Sequence, residues 1–522
     1  MLKKGSDFQR ILKGISFSWI KFVLSILIGV FQTPLLFKYL PSDQLNTWYI
    51  FFSIGAFLQI SDLGLVSSIS RIIAYLDNSD ESTQQDNGVQ MFRSFKTKQI
   101  YFTALFSFNT LLFVFGFIIY FAYSYFHNDS FSSSTFSIAF VVFILGIICN
   151  MLSNIPTAIL TGYRDIGYDS IVRSVVQIFY FVSLIVFLPF YHSIIFVSLA
   201  FFLQNFIQLV VLHFILYFRH ISIFRIKLSV GELIKIQIVK SIYKQSFPLA
   251  INQIGTWLTT QGSVFIASIV LGPNQISDYA INQQLFTYGL AISLVLNQSM
   301  GPFIAKQYIQ KNHENLVNYY VRTTTVCLFV IGIFLVTLLS VFNELISIWV
   351  GVQHSLGLNL VVFFALIAFF EVQHSVAGNF VWNMGKWPFN KLTLLAGVLN
   401  LSLGYVLGKQ YGLLGIAIGT FLSKFFTLNW YVVFYCLKKL GLSVSKYLKE
   451  VMLPILFTGI ITVMISSYIK GYLHIELVKP IFGIMIISAI SVLIFIFIIF
   501  IFFRSAYKPL LAYVKVYREK GV

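Results

Sequence analysis

The chain predicts an all-α integral membrane protein of about 14 transmembrane helices. They are arranged as two pseudo-symmetric six-helix lobes with two further helices at the C-terminal end. Three observations lead there. The 522 residues are 58% hydrophobic and only 10% charged, with mean hydropathy +0.84, far more apolar than a soluble globular protein. Apolar runs of roughly 20 residues recur from end to end, the length that a hydrocarbon core of about 30 Å requires. The basic residues are also biased strongly toward alternate connections.

The apolar cores fall at 14–37, 45–65, 100–126, 135–158, 172–190, 194–217, 247–271, 278–303, 323–343, 357–382, 391–407, 412–436, 451–469 and 480–503. The first follows Lys3, Lys4, Arg10 and Lys13, as in a secretory leader. Its apolar run is too long for one and no small-x-small cleavage site follows, so it reads as an uncleaved first span. The net charge of +18 is a topology signal before it is a binding signal, and no nucleic-acid partner is expected. The outer loops hold only Lys38, Lys409, Lys470 and Lys479, Lys21 and Lys424 lie within spans, and the great majority of the 36 Lys and Arg fall in the tails and inner loops. That bias places both termini in the cytoplasm. It also attracts anionic membrane lipids.

No loop is long enough for a globular domain. The longest runs from about Val66 to Gln99 and carries Asp77, Asp80, Glu81 and Asp86. The next, 218–246, interleaves Arg219, Arg225, Lys227, Lys235, Lys240 and Lys244 with Leu233, Ile234, Ile236, Ile238, Val239 and Ile242. That pattern predicts an amphipathic helix on the inner membrane face. It divides the chain into a first lobe (1–217), the linker, a second lobe (247–437) and a C-terminal part (438–522) with two helices and a basic tail. The lobes resemble each other. Leu40-Pro41-Ser42-Asp43-Gln44-Leu45-Asn46-Thr47-Trp48 aligns with Leu271-Gly272-Pro273-Asn274-Gln275-Ile276-Ser277-Asp278-Tyr279. Thr161-Gly162-Tyr163-Arg164 aligns with Asn383-Met384-Gly385-Lys386, and His192-Ser193-Ile194-Ile195 with Tyr411-Gly412-Leu413-Leu414. A duplication of six spans keeps the orientation of both copies, a parallel repeat with an expected substrate site between lobes.

Several spans carry polar faces. In the first, Ser18, Lys21, Ser25, Gly29 and Gln32 recur at steps of three and four. The seventh has Asn252, Thr256, Thr260 and Ser263 with Gln253 and Gln261, and the eighth has Asp278, Asn282, Gly289, Ser293 and Asn297. Such faces suit a shared cavity, and the Ser, Thr and Gly positions suit close helix packing equally well. Lys21 lies about 9 Å inside the inner boundary. It can snorkel to the interface or face a phosphate, and no carboxylate on its own face neutralises it. Glu371 and Lys424 sit near the midplane, where a charge is costly unless paired or hydrated. The favoured reading is a salt bridge holding the second lobe together; the other is substrate contact. His374 follows Glu371 on the same face, so the two are the candidates for proton coupling. Asp62 and Arg71, at the inner end of the second span, read first as a pair or a helix cap.

No enzyme signature is present. There is no Walker-type phosphate loop, no paired His–carboxylate metal motif and no Gly-x-Ser-x-Gly elbow, which excludes ATP-driven pumping by this chain alone. Cys149, Cys327 and Cys436 all lie inside spans and form no disulfide framework.

The pattern resembles the polysaccharide-transporter branch of the multidrug/oligosaccharidyl-lipid/polysaccharide exporter superfamily, the Wzx-type O-antigen and capsule flippases and teichoic-acid exporters. The residues that carry it are Leu40-Pro41 through Trp48-Tyr49, Asp62-Leu63-Gly64-Leu65 with Arg71, and Tyr411-Gly412-Leu413-Leu414-Gly415. The six-plus-six-plus-two layout covers essentially the whole chain. One departure is Pro41-Ser42, where a Gly is common. The resemblance implies a flippase that carries undecaprenyl-pyrophosphate-linked oligosaccharide units from the inner to the outer leaflet of a bacterial cytoplasmic membrane. It implies no resident cofactor, with H+ or Na+ as candidate coupling ions, and a polysaccharide polymerase and chain-length regulator as candidate partners. A pyrophosphate needs Lys or Arg, here Lys21 and Arg71. Sugars need amides and hydroxyls, here Ser25, Gln32, Asn252, Gln253, Gln261, Asn282 and Asn297. Two other classes stand beside it. A multidrug/cation antiporter of the same superfamily should hold carboxylates in the first lobe, where the spans show Lys21 instead. A membrane enzyme acting on lipid-linked sugars should have a large outer loop, which this chain lacks.

Overall fold

The computed structural model describes residues 2–59, 97–126, 134–221, 250–271, 275–385, 387–472 and 480–502, with a few positions between 66 and 73 and at 224, and side chains in the first helix from Ser16. Asp62, Arg71, Lys386 and most of the 218–246 linker lie outside the described residues. Among the described residues there is no strand. Nine helices among the described residues are each long and apolar enough to cross a membrane, and a bent pair, Ala250–Thr260 with Gly262–Leu271, makes a tenth. One of the nine, Asn390–Lys439, contains a reversal at Gly412 and so holds two of the predicted spans. Helices Ser42–Gln59, Thr97–Phe126 and Ile276–Ser293 stand where the remaining three were expected. The sequence-predicted fold class is therefore what is observed, a multi-pass all-helical membrane protein.

The chain forms two compact units, Met1–Trp257 and Leu258–Val522. In the first, the spans are Leu2–Tyr39, Ser42–Gln59, Thr97–Phe126, Ser134–Gly162, Ile166–Tyr191 and Ile194–Arg219. Their core is mainly aliphatic, with an aromatic cluster at its centre. Trp48, 1% exposed, meets Phe143 edge-on at 5.5 Å, and Phe143 stacks on Phe201 at 5.1 Å, tying the second, fourth and sixth spans. In the second unit Tyr279 stands where the repeat aligns it with Trp48. It is fully buried and meets Phe364 of the tenth span (Leu358–Asn383) edge-on at 5.2 Å. The paired motifs therefore mark the same packing role in each unit.

The turns repeat as well. Between the fourth and fifth spans the backbone passes through a left-handed residue, Arg164 (φ 65°) in one unit and Gly385 (φ 93°) in the other. Between the fifth and sixth the left-handed residue is His192 (φ 36°), and its counterpart in the second unit is Gly412 (φ 61°). Each such turn is one residue out of step with the sequence alignment. The reversal at Gly412 also brings two helices into near backbone contact. A methyl at Gly415 would lie 2.0 Å from the Leu407 carbonyl oxygen, and one at Gly419 would lie 2.7 Å from the Gly404 nitrogen. Glycine is required at both because a helix hairpin this close has no room for a Cβ.

Two spans differ from the uninterrupted helices expected. The seventh bends by 46° between Thr260 and Gly262, at Gln261. The eighth divides into Ile276–Ser293, Val295–Ser299 and Gly301–Ile309. Pro302 lies in the first turn of the last piece. Its ring nitrogen has no proton for the helix ladder, and in the first turn that proton would have had no helical partner, so proline suits the start of a new helical piece.

Candidate functional site

In the first unit the polar face of the first span lies along the fifth. Ser18 Oγ is 2.9 Å from Ser170 Oγ, Ser25 Oγ donates to Gln177 Oε1 at 2.8 Å, and Gln32 Nε2 donates to Tyr180 Oη at 3.1 Å. Residue numbers rise together along this seam, so the two helices run parallel. The first two contacts repeat after seven residues on both helices, the spacing of a close parallel helix pair. Ser25 and Gln32 are thus engaged by a neighbouring helix.

Lys21 emerges from the same seam. Its Nζ is 3.7 Å from Asp169 Oδ2, so a carboxylate from another span partly compensates a cation that has none on its own face. Asp169 has a tighter partner. Arg173 Nε donates to Asp169 Oδ1 at 2.6 Å, and Arg173 Nη2 donates to Asn154 Oδ1 at 2.9 Å and to Thr157 Oγ1 at 3.2 Å. The Thr157 hydroxyl donates to Asp169 Oδ1 at 2.7 Å. The side chains of Lys21, Arg173 and Asp169 are 33%, 19% and 8% exposed. Two cations share one carboxylate, and the cluster carries a net charge of +1. An anion can add to such a cluster; a further cation would be repelled. Sequence reasoning passed over Asp169 and Arg173 because the predicted fifth span began at 172, which left Asp169 outside it and Arg173 at its edge, where a charge is ordinary. The available signal was their i,i+4 spacing at a helix start.

The second unit carries the buried charges singled out from sequence. Glu371 and Lys424 do pair. Lys424 Nζ donates to Glu371 Oε2 at 3.2 Å, and His374 Nδ1 lies 3.1 Å from Glu371 Oε1. Lys424 is followed by a wide π-helical turn, Phe425–Asn429, a distortion frequent where a helix interior is used. The repeat places an amide pair near this point in the first unit, where Asn150 Nδ2 donates to Asn205 Oδ1 at 2.8 Å. In each unit, then, the fourth and sixth spans are joined by polar contact, and the first unit adds Gln208 Nε2 donating to Ser153 Oγ at 2.6 Å.

The candidate sugar-binding amides fare differently. Asn282 is fully buried, and its Nδ2 donates to the Asp278 and His354 carbonyls at 2.6 and 2.9 Å, a brace for the connection near His354. Asn297 lies in the short middle piece of the eighth span. Asn379 Nδ2 donates to its carbonyl at 2.6 Å and to its Oδ1 at 3.0 Å, and Asn383 Nδ2 donates to Asn379 Oδ1 at 2.8 Å. This ladder holds the broken helix to the tenth span. Asn252, Gln253 and Gln261 are half-buried along the bent seventh span. The Gln253 Oε1 is buried with no hydrogen-bond partner among the described residues. No group of three or more metal-ligating side chains occurs among the described residues.

With this geometry in hand, comparison with known proteins gives the class. No family model matches the chain, and no curated protein matches it by sequence. Solved structures do. The chain is similar to the lipid II flippase MurJ in an inward closed conformation, with TM-score 0.69 at 16% identity over 95% of this chain and 100% of that one. It is similar to an inward-facing multidrug resistance MATE transporter of the MOP superfamily, with TM-score 0.61 at 13% identity over 83% of this chain and 98% of that one. It is also similar to a MOP-superfamily transporter from Pyrococcus furiosus Vc1, described as having a binding pocket of reversed polarity, with TM-score 0.56 at 12% identity over 83% and 96%. The fold is that of the MOP-superfamily transporters.

Proposed function

We propose that the chain is a flippase for an anionic lipid-linked oligosaccharide, working by alternating access in a bacterial cytoplasmic membrane with both termini in the cytoplasm. The observation that carries this reading is the net positive cluster of Lys21, Asp169 and Arg173. A pyrophosphate carries two or three negative charges and needs cations within reach, and Lys21 is the half-exposed member of the cluster. The reading is favoured over a cation or drug antiporter by that sign of charge. It is supported by the fold shared with MurJ, a protein described as a lipid II flippase. Gln253, whose Oε1 has no hydrogen-bond partner among the described residues, is assigned with Asn252 and Gln261 to sugar hydroxyls. Glu371 and Lys424 are assigned to holding the second unit together. H+ or Na+ coupling, with Glu371 and His374 as its residues, belongs to the same proposal. So do a polysaccharide polymerase and chain-length regulator as working partners.

The test is complementation of a flippase-deficient strain with protein level measured in parallel. Wild-type chain should restore surface polysaccharide. Lys21→Ala should express normally yet leave lipid-linked units on the inner leaflet. Normal expression without any restoration, by wild type, across strains of differing repeat units would count against the reading.

A further inference from the structure

Asp169 is the one carboxylate in the cationic cluster, and its two oxygens do different work. Oδ1 receives Arg173 Nε at 2.6 Å and the Thr157 hydroxyl at 2.7 Å. Oδ2 is faced by Lys21 alone within the cluster, at 3.7 Å, beyond hydrogen-bond length. The two cations differ in the same way. Arg173 is fixed by Asp169, Asn154 and Thr157 together. Lys21 has no hydrogen bond to its ammonium among the described residues and is the more exposed of the two. An arriving anion can reach Arg173 only through its Nη1 protons, because Nε and Nη2 are already engaged. It can take Lys21 by displacing one loose Coulombic partner. A phosphate oxygen offers the ammonium a charge-assisted hydrogen bond that Asp169 does not make at 3.7 Å.

We propose that Asp169 is a positioning residue that competes with the cargo's phosphate for Lys21, limiting the affinity of the bound state and drawing Lys21 back when the cargo leaves. The inference rests on the reading of the cargo as an anionic lipid-linked sugar. Its effect is differential. A carboxylate that weakens cargo binding prevents an overly stable intermediate, so removing it tightens binding and slows turnover. A residue needed only for folding could not produce that pair of changes.

The experiment uses the full chain in nanodiscs, with farnesyl pyrophosphate as probe and farnesol as the uncharged control. Asp169→Asn keeps the shape and can still accept from Arg173 and Thr157, while the cluster charge rises to +2. Farnesyl pyrophosphate should bind this variant about tenfold more tightly, the low end of the effect of one nearby charge on an ionic equilibrium. Its dissociation should be slower, and surface polysaccharide in the complemented strain should fall. Asp169→Glu keeps the charge and reaches one methylene further toward Lys21, so it should bind the probe more weakly than wild type. Adding Lys21→Ala to Asp169→Asn should abolish the gain, because the gain passes through Lys21. Should Asp169→Asn fail to fold, the weaker binding of Asp169→Glu carries the test. If wild type binds farnesyl pyrophosphate and Asp169→Asn binds it equally or less well, the inference is overturned and the anionic-cargo reading stands. If wild type binds it no better than farnesol, that reading falls, and this inference with it.

Discussion

At the scale of single residues, charge in an apolar setting is the most legible signal in this chain. Glu371 and Lys424 stood out because nothing near them in sequence is charged, and the structure joins them at 3.2 Å. Both are mostly buried, with side chains 19% and 8% exposed, so removing one leaves the other uncompensated at a cost of about 3–5 kcal/mol. Single Glu371→Leu and Lys424→Leu variants should therefore express poorly, whereas the double variant should recover toward the wild-type level. Two well-folded singles that fail only in transport would assign the pair to function instead. Asp169 and Arg173 were not legible in the same way. They sit at a helix start, where charges are ordinary, and only the packing of the first span against the fifth shows that Asp169 is shared between Arg173 and Lys21. The polar face of the first span was correctly read as one stripe. What it meets was left open between a cavity and a neighbouring helix, since a period of three and four is the same in either case.

At the scale of elements, the helices followed from apolar length, and the interruptions did not. The eighth span was expected as one helix at 278–303. Its three pieces are braced by Asn379, some 80 residues away, which donates to the carbonyl and side-chain oxygen of Asn297 and is itself held by Asn383. No local pattern reveals such a brace. Glycines around Gly412 give a graded test of the hairpin. Gly412 has φ 61° and ψ −141°, a region essentially restricted to glycine, and Gly412→Ala should cost about 1–3 kcal/mol. Gly415→Ala should be far worse, because its methyl would collide with backbone at 2.0 Å. Gly404→Ala should be nearly neutral, since its methyl would meet only Ile266 at an ordinary 3.6 Å. Thermal unfolding of the three purified variants in detergent reads this order. A Gly415→Ala variant as stable as Gly404→Ala would mean that the two helices do not approach as described.

At the scale of the whole molecule, duplication explains why weak sequence matches were informative. Trp48 and Tyr279 are both buried beneath the fourth span of their own unit, and both units turn through left-handed residues at the same two places. Orientation rests on the placement of Lys and Arg. Fluorescent-protein fusions at Lys311 and Lys439 should report cytoplasm, and a phosphatase fusion at Gln353 should be active outside; an active phosphatase at Lys439 would reverse the topology. The central claim is that a cation in the first unit holds an anionic, lipid-linked cargo during its passage. Its most direct measurement is surface polysaccharide from a flippase-deficient strain carrying Lys21→Glu, with protein level and inner-leaflet lipid-linked units measured together. The account predicts normal protein level, no surface polymer and accumulated lipid-linked units, with Lys21→Arg retaining part of the activity. Wild-type polymer from Lys21→Glu at normal expression would contradict it.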